Sequence, residues 1–330
     1  MKKLATILAG VGALSLSATM AVDSAKAEWT PKKPVELIIM AGKGGGADQM
    51  ARLWQGIIQQ NDLSPRPFIP VNKPGGSGAE ALQYLDSKAG DNHVVMVTLN
   101  SYYTTPIMQS ELNIDITKFT PIARMALDTF LLWVRSDSGI EDLDSYVAKV
   151  KESGKDWKVG GTGSGQEDSI LTAMMEAEFG YDVTYIPFPG GGTVAKNLIG
   201  GHIDSTVNNP SEQSEFYRAG QSKPLVQFND ERSSAYPDTP TAKELGHDIV
   251  YYMQRSINGP ADMDPEAVAF YRDLFKKVFD SEEWQKFCNE DGIDCNEWLD
   301  ADGLTEFHKN GLQRHKNLIE QVGASAITGE

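Results

Sequence analysis

The sequence contains few of the residues that build metal centres. Its 330 residues include two cysteines and five histidines. The histidines show no His-Glu-x-x-His spacing and no pairing with closely spaced cysteines, which are the patterns of zinc sites. We therefore expect no metal site and no cofactor. Cys288 and Cys295 close a short loop, which in an exported chain is more typical of a disulfide than of a metal site.

Basic residues are also in short supply. The chain has 30 lysines and arginines against 46 aspartates and glutamates, which gives a formal net charge of -16. A surface this acidic repels the phosphates of nucleic acids and the headgroups of anionic lipids. Neither nucleic acid nor an anionic membrane surface is therefore an expected partner.

The amino terminus carries one apolar run, Leu4 to Leu16, between the basic pair Lys2-Lys3 and the small residues of Ala25-Lys26-Ala27. A basic start, a short apolar run and an Ala-x-Ala cleavage pattern are the features of a secretory signal peptide. The run is too short and too rich in small residues to favour a retained membrane anchor. We expect residues 1–27 to be removed and the protein to be exported.

Strand patterns alternate with helix patterns along the rest of the chain. "VELIIM" at Val35–Met40 is an apolar run suited to a buried parallel strand, and "ADQMARLWQGIIQQ" then changes to helical periodicity. The succession of strand, glycine loop and helix recurs at Gly44, Gly75, Gly163 and Gly190. This pattern predicts βαβ units in two α/β lobes, each with a mostly parallel sheet and a ligand crevice at the carboxyl ends of its strands.

The glycine loops suit an anion. A helix amino terminus presents unpaired backbone N–H groups, and glycine lets an anion approach them closely. For any one loop, a tight turn or helix cap explains the glycine equally well. The triple glycines at Gly44–Gly46 and Gly190–Gly192 are more than one turn needs. We therefore expect the loops to converge on an anion site in a cleft.

Nucleotide-binding motifs fit poorly. Gly42 to Ala47 formally satisfies G-x-G-x-x-A, with Asp62 near the spacing of a ribose-binding acid. In a dinucleotide fold this acid ends the second strand, whereas Asp62 precedes the extended segment Arg66–Val71. No loop closes with Gly-Lys-Ser or Gly-Lys-Thr, so the Walker pattern is absent from the sequence.

An exported hydrolase of carboxylate esters is the alternative that stays open. It would use Ser164 or Ser101 near Asp168, and the fold would have to bring His202 or His247 close to them. "GTGSGQ" is not a nucleophile elbow, because threonine and glutamine stand where G-x-S-x-G needs glycine. A third interpretation is a structural or adhesion module with a closed cleft that holds no ligand.

Five stretches carry a family resemblance. They are "GGGADQMAR" at 44–52, "VNKPGGSG" at 71–78, "FTPIARM" at 119–125, "IPFPGGGTVAKNLIGGHID" at 186–204 and "PDTPTAKELG" at 237–246. In this order they resemble the periplasmic solute-binding proteins of tripartite tricarboxylate transporters, also called TctC-like or Bug receptors. The resemblance covers nearly the whole chain after residue 27.

The resemblance implies a two-lobed Venus flytrap, with lobe 1 at 28–127 and 238–330 and lobe 2 at 128–237. Such a protein is a monomer in the periplasm and is not an enzyme. It closes on a small organic carboxylate, which can be a di-, tri- or aromatic carboxylate. It then delivers this solute to the integral-membrane permease subunits of the transporter.

The resemblance also implies which residues bind the ligand. They are Gly44, Gly45, Gly46, Asp48, Ser101, Tyr102, Thr162, Gly163, Ser164, Asp168, Gly191 and Asn208. Backbone N–H groups and hydroxyls would donate to the carboxylate, whereas Asp48 would orient water or cap a helix. Two residues depart from the family pattern: Pro189 replaces a usual lysine, and Asp168 stands near a frequent histidine. The solute is therefore expected to be less anionic than a tricarboxylate, or to carry an amine or hydroxyl.

Overall fold

The structure is a computed structural model that describes residues 28–328. The predicted signal peptide lies outside the described residues. The strands are β1 (Val35–Ile39), β2 (Phe68–Asn72), β3 (Val94–Thr98), β4 (Thr120–Asp128), β5 (Leu131–Arg135), β6 (Lys158–Gly161), β7 (Thr184–Pro187), β8 (Ser205–Thr206), β9 (Ser222–Gln227) and β10 (Met253–Gly259). The helices are α1 (Gly46–Gln60), α2 (Ala79–Asp86), α3 (Ser101–Met108), α4 (Leu143–Ser153), α5 (Glu167–Phe179), α6 (Gly191–Ile199), α7 (Pro210–Arg218), α8 (Pro265–Phe279), α9 (Glu282–Asp291), α10 (Ala301–Val322) and α11 (Ala324–Thr328).

Two five-stranded sheets share one topology. Their strand orders are β2-β1-β3-β10-β4 and β7-β6-β8-β5-β9. In the first sheet β10 runs antiparallel to both of its neighbours, and in the second sheet β5 does the same. The other strands of each sheet share one direction, as the pairings of β1 and β6 show. We call the parts built on these sheets the first lobe and the second lobe.

The reversed strand of each sheet is the one that enters from the other lobe. β4 ends in the first lobe and β5 begins in the second, with Thr129 and Phe130 between them. Residues 228–252 return the chain from β9 to β10. The two crossings lie side by side, because the Phe228 N–H donates to the Phe130 carbonyl over 3.0 Å and the Tyr251 N–H donates to the Phe228 carbonyl over 2.9 Å. The predicted lobe boundaries at 127/128 and 237/238 stay a prediction.

Apolar periodicity explains the core of the first lobe. β1 is buried along most of its length, as its nearly unbroken apolar run predicts. The inward stripe of α1 includes Met50, Trp54 and Ile57, which recur at helical spacing. Trp54 is fully buried and packs edge-on against Trp284 of α9, with ring centroids 5.3 Å apart. The carboxyl-terminal helices therefore complete the core that the amino-terminal segment begins.

The carboxyl-terminal segment also reaches the second lobe, since α10 and α11 both contact α5. Cys288 and Cys295 form a disulfide beside α9, with their Cα atoms 6.2 Å apart. Within residues 28–328, no helix combines the length and the apolar character that a membrane span requires.

Candidate functional site

A narrow cavity lies between the lobes, where the glycine loops meet. Its walls include Gly45 and Gly46 from the first lobe and Thr162, Asp168 and Gly191 from the second. The space in it that is open to a water-sized sphere is only about 20 Å³, so the lobes are packed closely around it. The cavity therefore lies past the carboxyl ends of β1 and β6, the position expected for ligands of parallel α/β sheets.

Four helices begin at this cavity. α1 begins at Gly46, α5 at Glu167, α6 at Gly191 and α7 at Pro210, and the wall includes the first residue of the first three and the N-cap residue Asn209 of the fourth. Each helix amino terminus acts as roughly half a positive charge. The cavity therefore has a locally positive backbone in a protein whose net charge is -16.

A carboxylate of the protein already occupies the amino terminus of α1. Glu212 lies on α7 in the second lobe, and its Oε1 accepts a hydrogen bond of 2.9 Å from the N–H of Gly46 in the first lobe. Its Oε2 accepts a hydrogen bond of 2.8 Å from the side-chain amide of Asn208 and one of 3.2 Å from the N–H of Asn209. The Asn209 and Glu212 pair is the capping box of α7. One side chain thus caps its own helix and a helix of the opposite lobe.

Two further carboxyl groups accept hydrogen bonds from backbone N–H groups nearby. Asp168 Oδ2 accepts a hydrogen bond of 2.8 Å from the Thr162 N–H, and Glu167 accepts a short hydrogen bond from the Ser101 N–H. Burial raises the pKa of Glu167, and burial followed by the nearby Glu212 charge raises the pKa of Asp168 well above its usual range. Burial raises the pKa of Glu212 to about 7. All three groups are therefore biased towards the protonated form.

Arg255 of β10 is the cation of the cavity wall. It is 1% exposed and forms a buried ion pair with Asp128, with Nε 3.0 Å from Oδ2. Its Nη2 also donates to Asn209 Oδ1 over 3.1 Å. The remaining nitrogen, Nη1, is buried and has no hydrogen-bond partner among the described residues. A buried guanidinium N–H without an acceptor is costly, so this nitrogen is suited to an acceptor from a ligand.

The glycines allow the lobes to touch. A Cβ on Gly192 would lie 2.5 Å from the carbonyl oxygen of Gly44, and a Cβ on Gly191 would lie 2.0 Å from Glu212 Oε1. Ser77 Oγ of the first lobe donates to the Ser164 carbonyl of the second over 2.7 Å. The triple glycine at 190–192 therefore makes room for a backbone and a carboxylate from across the cleft, and the structure is a closed state.

Comparison with known proteins identifies the fold and the family. A family model described as "Tripartite tricarboxylate transporter family receptor", TctC, matches residues 58–324. The chain belongs to the TctC family. This finding confirms the resemblance seen in the sequence motifs.

The relatives cover almost the whole chain. The UPF0065 protein in gbd 5'region of Cupriavidus necator is 27% identical over 322 residues, which are 97% of this chain and 96% of that protein. MatC from Rhodopseudomonas palustris, solved with bound malate, has a TM-score of 0.81 and 21% identity over 88% of this chain and 99% of that one. Rpa4515 of R. palustris, solved with adipate, has a TM-score of 0.82 and 18% identity, over 89% of this chain and 98% of that one. These likenesses confirm the two-lobed periplasmic binding protein fold.

In this TctC receptor, five of the residues expected to bind ligand line the cavity: Gly45, Gly46, Thr162, Asp168 and Gly191. Gly44 lies at the exposed edge of the same loop, against Gly192. Gly163 and Ser164 lie where the lobes meet at Ser77. These last three residues therefore stand beside the cavity rather than in its wall.

The other four expected residues lie behind the wall. Asp48 accepts a hydrogen bond of 2.9 Å from the Gly44 N–H and another of 2.9 Å from Arg52 Nε. These bonds hold the first glycine loop in its conformation. Burial works to raise the pKa of Asp48, but its hydrogen bonds outweigh burial and the net pKa is lowered. The Ser101 N–H donates to the Glu167 carboxyl group, and the side-chain amide of Asn208 donates to the Glu212 carboxyl group.

Tyr102 packs in the first-lobe core and donates to the Ile116 carbonyl over 2.9 Å. Its backbone N–H also donates to the carbonyl of Leu99, a residue of the cavity wall, over 3.1 Å. Whether these twelve residues contact a ligand stays a prediction.

Glu212, Arg255 and Glu167 are functional candidates that sequence reasoning missed. "NPSE" at 209–212 carries the signal of a capped helix, with proline at its first position. That signal locates α7 but gives no hint of a contact across the cleft. Arg255 stands in a strand of mixed polarity, and nothing local marks it as buried.

The serine-hydrolase arrangement finds little support. Among residues 28–328, no histidine lines the cavity. His247 pairs with Glu178 over 2.8 Å, and His308 is bonded to Tyr103 and Asn258 in the first lobe. Within the same residues, no group of three His, Cys, Asp or Glu side chains is arranged to hold a metal ion.

We predict that Gly192→Ala keeps the fold but blocks closure, because its Cβ would meet the backbone of Gly44. Small-angle scattering should give a larger radius of gyration than the wild type, and bound solute should be lost. Gly56→Ala is the control, since a Cβ there meets no atom within 4 Å. A Gly192→Ala protein as compact as Gly56→Ala would contradict the role given to this glycine.

We also predict that acid favours the closed, unliganded state. When the cleft opens, Glu212 is solvated and its pKa returns towards 4.5, so closing takes up a proton between about pH 4.5 and the closed-state pKa of about 7. Burial also raises the pKa of Asp168 and of Glu167, and it raises the pKa of Asp128 although Asp128 is paired with Arg255. The stabilisation of closure is therefore complete below pH 4.5 and is lost as the pH rises through 7.

Small-angle scattering from pH 5 to pH 9 measures this effect as an increasing radius of gyration. Glu212→Gln should weaken the pH dependence and keep the protein compact at alkaline pH. Glu215→Gln, an exposed change on the same helix, should behave like the wild type. An unchanged pH profile in Glu212→Gln would show that this carboxyl does not control closure.

Proposed function

We propose that this TctC receptor is exported to the periplasm, captures a small organic carboxylate between its lobes, and delivers it to membrane permease subunits of a tripartite tricarboxylate transporter. Capture involves no covalent chemistry. The lobes would close by a hinge at the two crossings, and the permease would recognise surfaces that only the closed state brings together. A monomer is sufficient for this role.

The observation that carries the proposal is that Arg255, a residue of the inter-lobe cavity wall, has a buried Nη1 without a hydrogen-bond partner among the described residues. A guanidinium donor that is 1% exposed needs an acceptor, and carboxylate geometry matches guanidinium N–H groups well. The same side chain is held rigidly by Asp128 and Asn209, so the free donor is preorganised.

The amino terminus of α6 supplies a second place for an acceptor. Its N-cap residue, Gly190, has no side-chain hydrogen bond that caps the helix. Gly190 and Gly191 both line the cavity. An uncapped helix start is a common anion site, because its N–H groups and dipole both favour negative charge.

Two structural neighbours agree with this chemistry. MatC was solved with malate and Rpa4515 with adipate, and both solutes are carboxylates. Their likeness to this chain concerns the fold, so they support the ligand class without specifying the ligand.

We expect a panel of small carboxylates to include at least one that stabilises the protein. A ligand at a hundred times its Kd adds about 2.7 kcal/mol to the free energy of unfolding and should raise Tm by roughly 5 °C or more. Differential scanning fluorimetry measures the shift. A panel without any stabilising member, together with native mass spectra free of co-purified solute, would contradict the proposal.

Arg255→Lys tests the donor itself. Lysine keeps a positive charge beside Asp128 but lacks the Nη1 group, so affinity for the stabilising solute should fall roughly tenfold or more. Arg135→Lys is the matched control, because Arg135 also pairs with an aspartate, Asp137, but lies outside the cavity wall. Equal affinities in the two variants would remove Arg255 from the binding site.

A further inference from the structure

The charges of the cavity wall are unbalanced. Three carboxyl groups, those of Glu167, Asp168 and Glu212, line the cavity together with one guanidinium, that of Arg255. Arg255 already forms an ion pair with Asp128. Because Asp128 neutralises it, the three lining carboxyl groups have no cationic side chain left to pair with in the wall.

Buried carboxylates without a counter-ion are expensive, so such groups are paired or protonated in folded proteins. Glu167 is 1% exposed and Asp168 is 3% exposed, whereas Glu212 is partly buried at the cleft. Each accepts a backbone N–H, from Ser101, Thr162 and Gly46 respectively. These bonds stabilise the charged form but leave its net charge in place.

The same bonds make a purely anionic solute a poor fit. The amides of the glycine loop that begins α1 donate to carboxylates of the protein itself, Gly44 to Asp48 and Gly46 to Glu212. A dicarboxylate would have to displace one of these acceptors and add negative charge beside three carboxyl groups. A second carboxylate therefore meets repulsion where a cation would meet attraction.

A metal ion does not solve the imbalance. Within residues 28–328, no three carboxylate, histidine or cysteine side chains converge in the way that ion coordination requires. An organic cation needs no such convergence, because its N–H groups can reach carboxylates that are spread along a wall.

Resting on the proposed receptor function, we propose that the solute is a zwitterion, with an ammonium group recognised by Asp168 and Glu212 and a carboxylate recognised by Arg255 Nη1. The ammonium supplies the missing countercharge, and the carboxylate supplies the missing acceptor. One small molecule thus meets both deficits of the cavity wall, provided that the lobes close less tightly around it than in this structure, where about 20 Å³ is free.

The raised pKa values of these carboxyls agree with this assignment. Without a cation, the cavity tolerates Asp168 and Glu212 only by favouring their protonated forms. Binding an ammonium replaces those protons, so the solute takes over the electrostatic role that protonation has in the empty closed state.

Matched solute pairs test the proposal. Succinate is compared with 4-aminobutanoate, adipate with 6-aminohexanoate, and lactate with alanine, since each pair differs mainly in an ammonium group. Butylamine provides the cation without the carboxylate, and calcium chloride provides a metal ion alone. Fluorimetry ranks the solutes, and calorimetry measures the Kd of any that bind.

We expect the aminocarboxylate to bind roughly tenfold or more tightly than its partner in at least one pair. Asp168→Asn should weaken aminocarboxylate binding by a similar factor and should improve binding of the dicarboxylate of the same length. Asp156→Asn makes the same chemical change on the exposed surface of the second lobe and should leave every Kd unchanged. Glu212→Gln repeats the test through a second carboxyl group, in case Asp168→Asn does not fold.

The outcomes separate the two proposals. Binding of dicarboxylates but not of aminocarboxylates would overturn the zwitterion proposal and leave the receptor function intact. Binding of calcium alone would overturn the zwitterion proposal as well. Stabilisation by no solute at all would overturn both proposals. An aminocarboxylate Kd that neither Asp168→Asn nor Glu212→Gln changes would overturn the assignment of the ammonium to these carboxyls.

Discussion

The ion pair of Asp128 and Arg255 is the interaction on which the arrangement of the two lobes depends. Asp128 ends β4, directly before the first crossing, and Arg255 lies in β10, directly after the second. Asn209 of the second lobe accepts from Arg255 and donates to the Thr129 carbonyl over 2.6 Å. Loss of one partner of a buried ion pair typically costs about 3–5 kcal/mol. The pair thus joins both crossings to the cavity wall.

This placement couples binding to the hinge. Arg255 contacts the hinge through Asp128 and lines the cavity, and its remaining nitrogen, Nη1, has no hydrogen-bond partner among the described residues. A ligand that accepts from that nitrogen would add a contact to the group that already orders the crossings. Closure then requires no long relay, because the hinge and the binding site share a side chain.

The sequence predicts the repeated strand, glycine loop and helix well, because those signals are local. The apolar run of β1 and the periodicity of α1 follow from residues close together in the chain. Arg255 was not predictable in this way, since its burial depends on Asp128, 127 positions away. Glu212 was readable as a helix cap, whereas its bond to Gly46 spans 166 positions and exists only when the lobes meet.

The glycine loops illustrate the same limit. Their composition indicated an anion site, and the structure shows protein carboxylates accepting from Gly44 and Gly46. The departure at Asp168 was visible in the motif, but its meaning depends on Glu167 and Glu212 lining the same cavity. A charge imbalance among residues from two helices and a strand is a property of the closed cleft and of no single motif.

The long-range field of the protein acts in the same direction as the cavity. With a net charge of -16, the surface repels a dianionic solute before it reaches the cleft. A zwitterion has no net charge and approaches without this penalty. Inside, its two ends meet separate partners: the uncapped amino terminus of α6 and Arg255 offer donors, and three carboxyl groups offer acceptors. An acidic receptor with an internally mixed cavity therefore selects by the pairing of charges within one small molecule, rather than by its total negative charge.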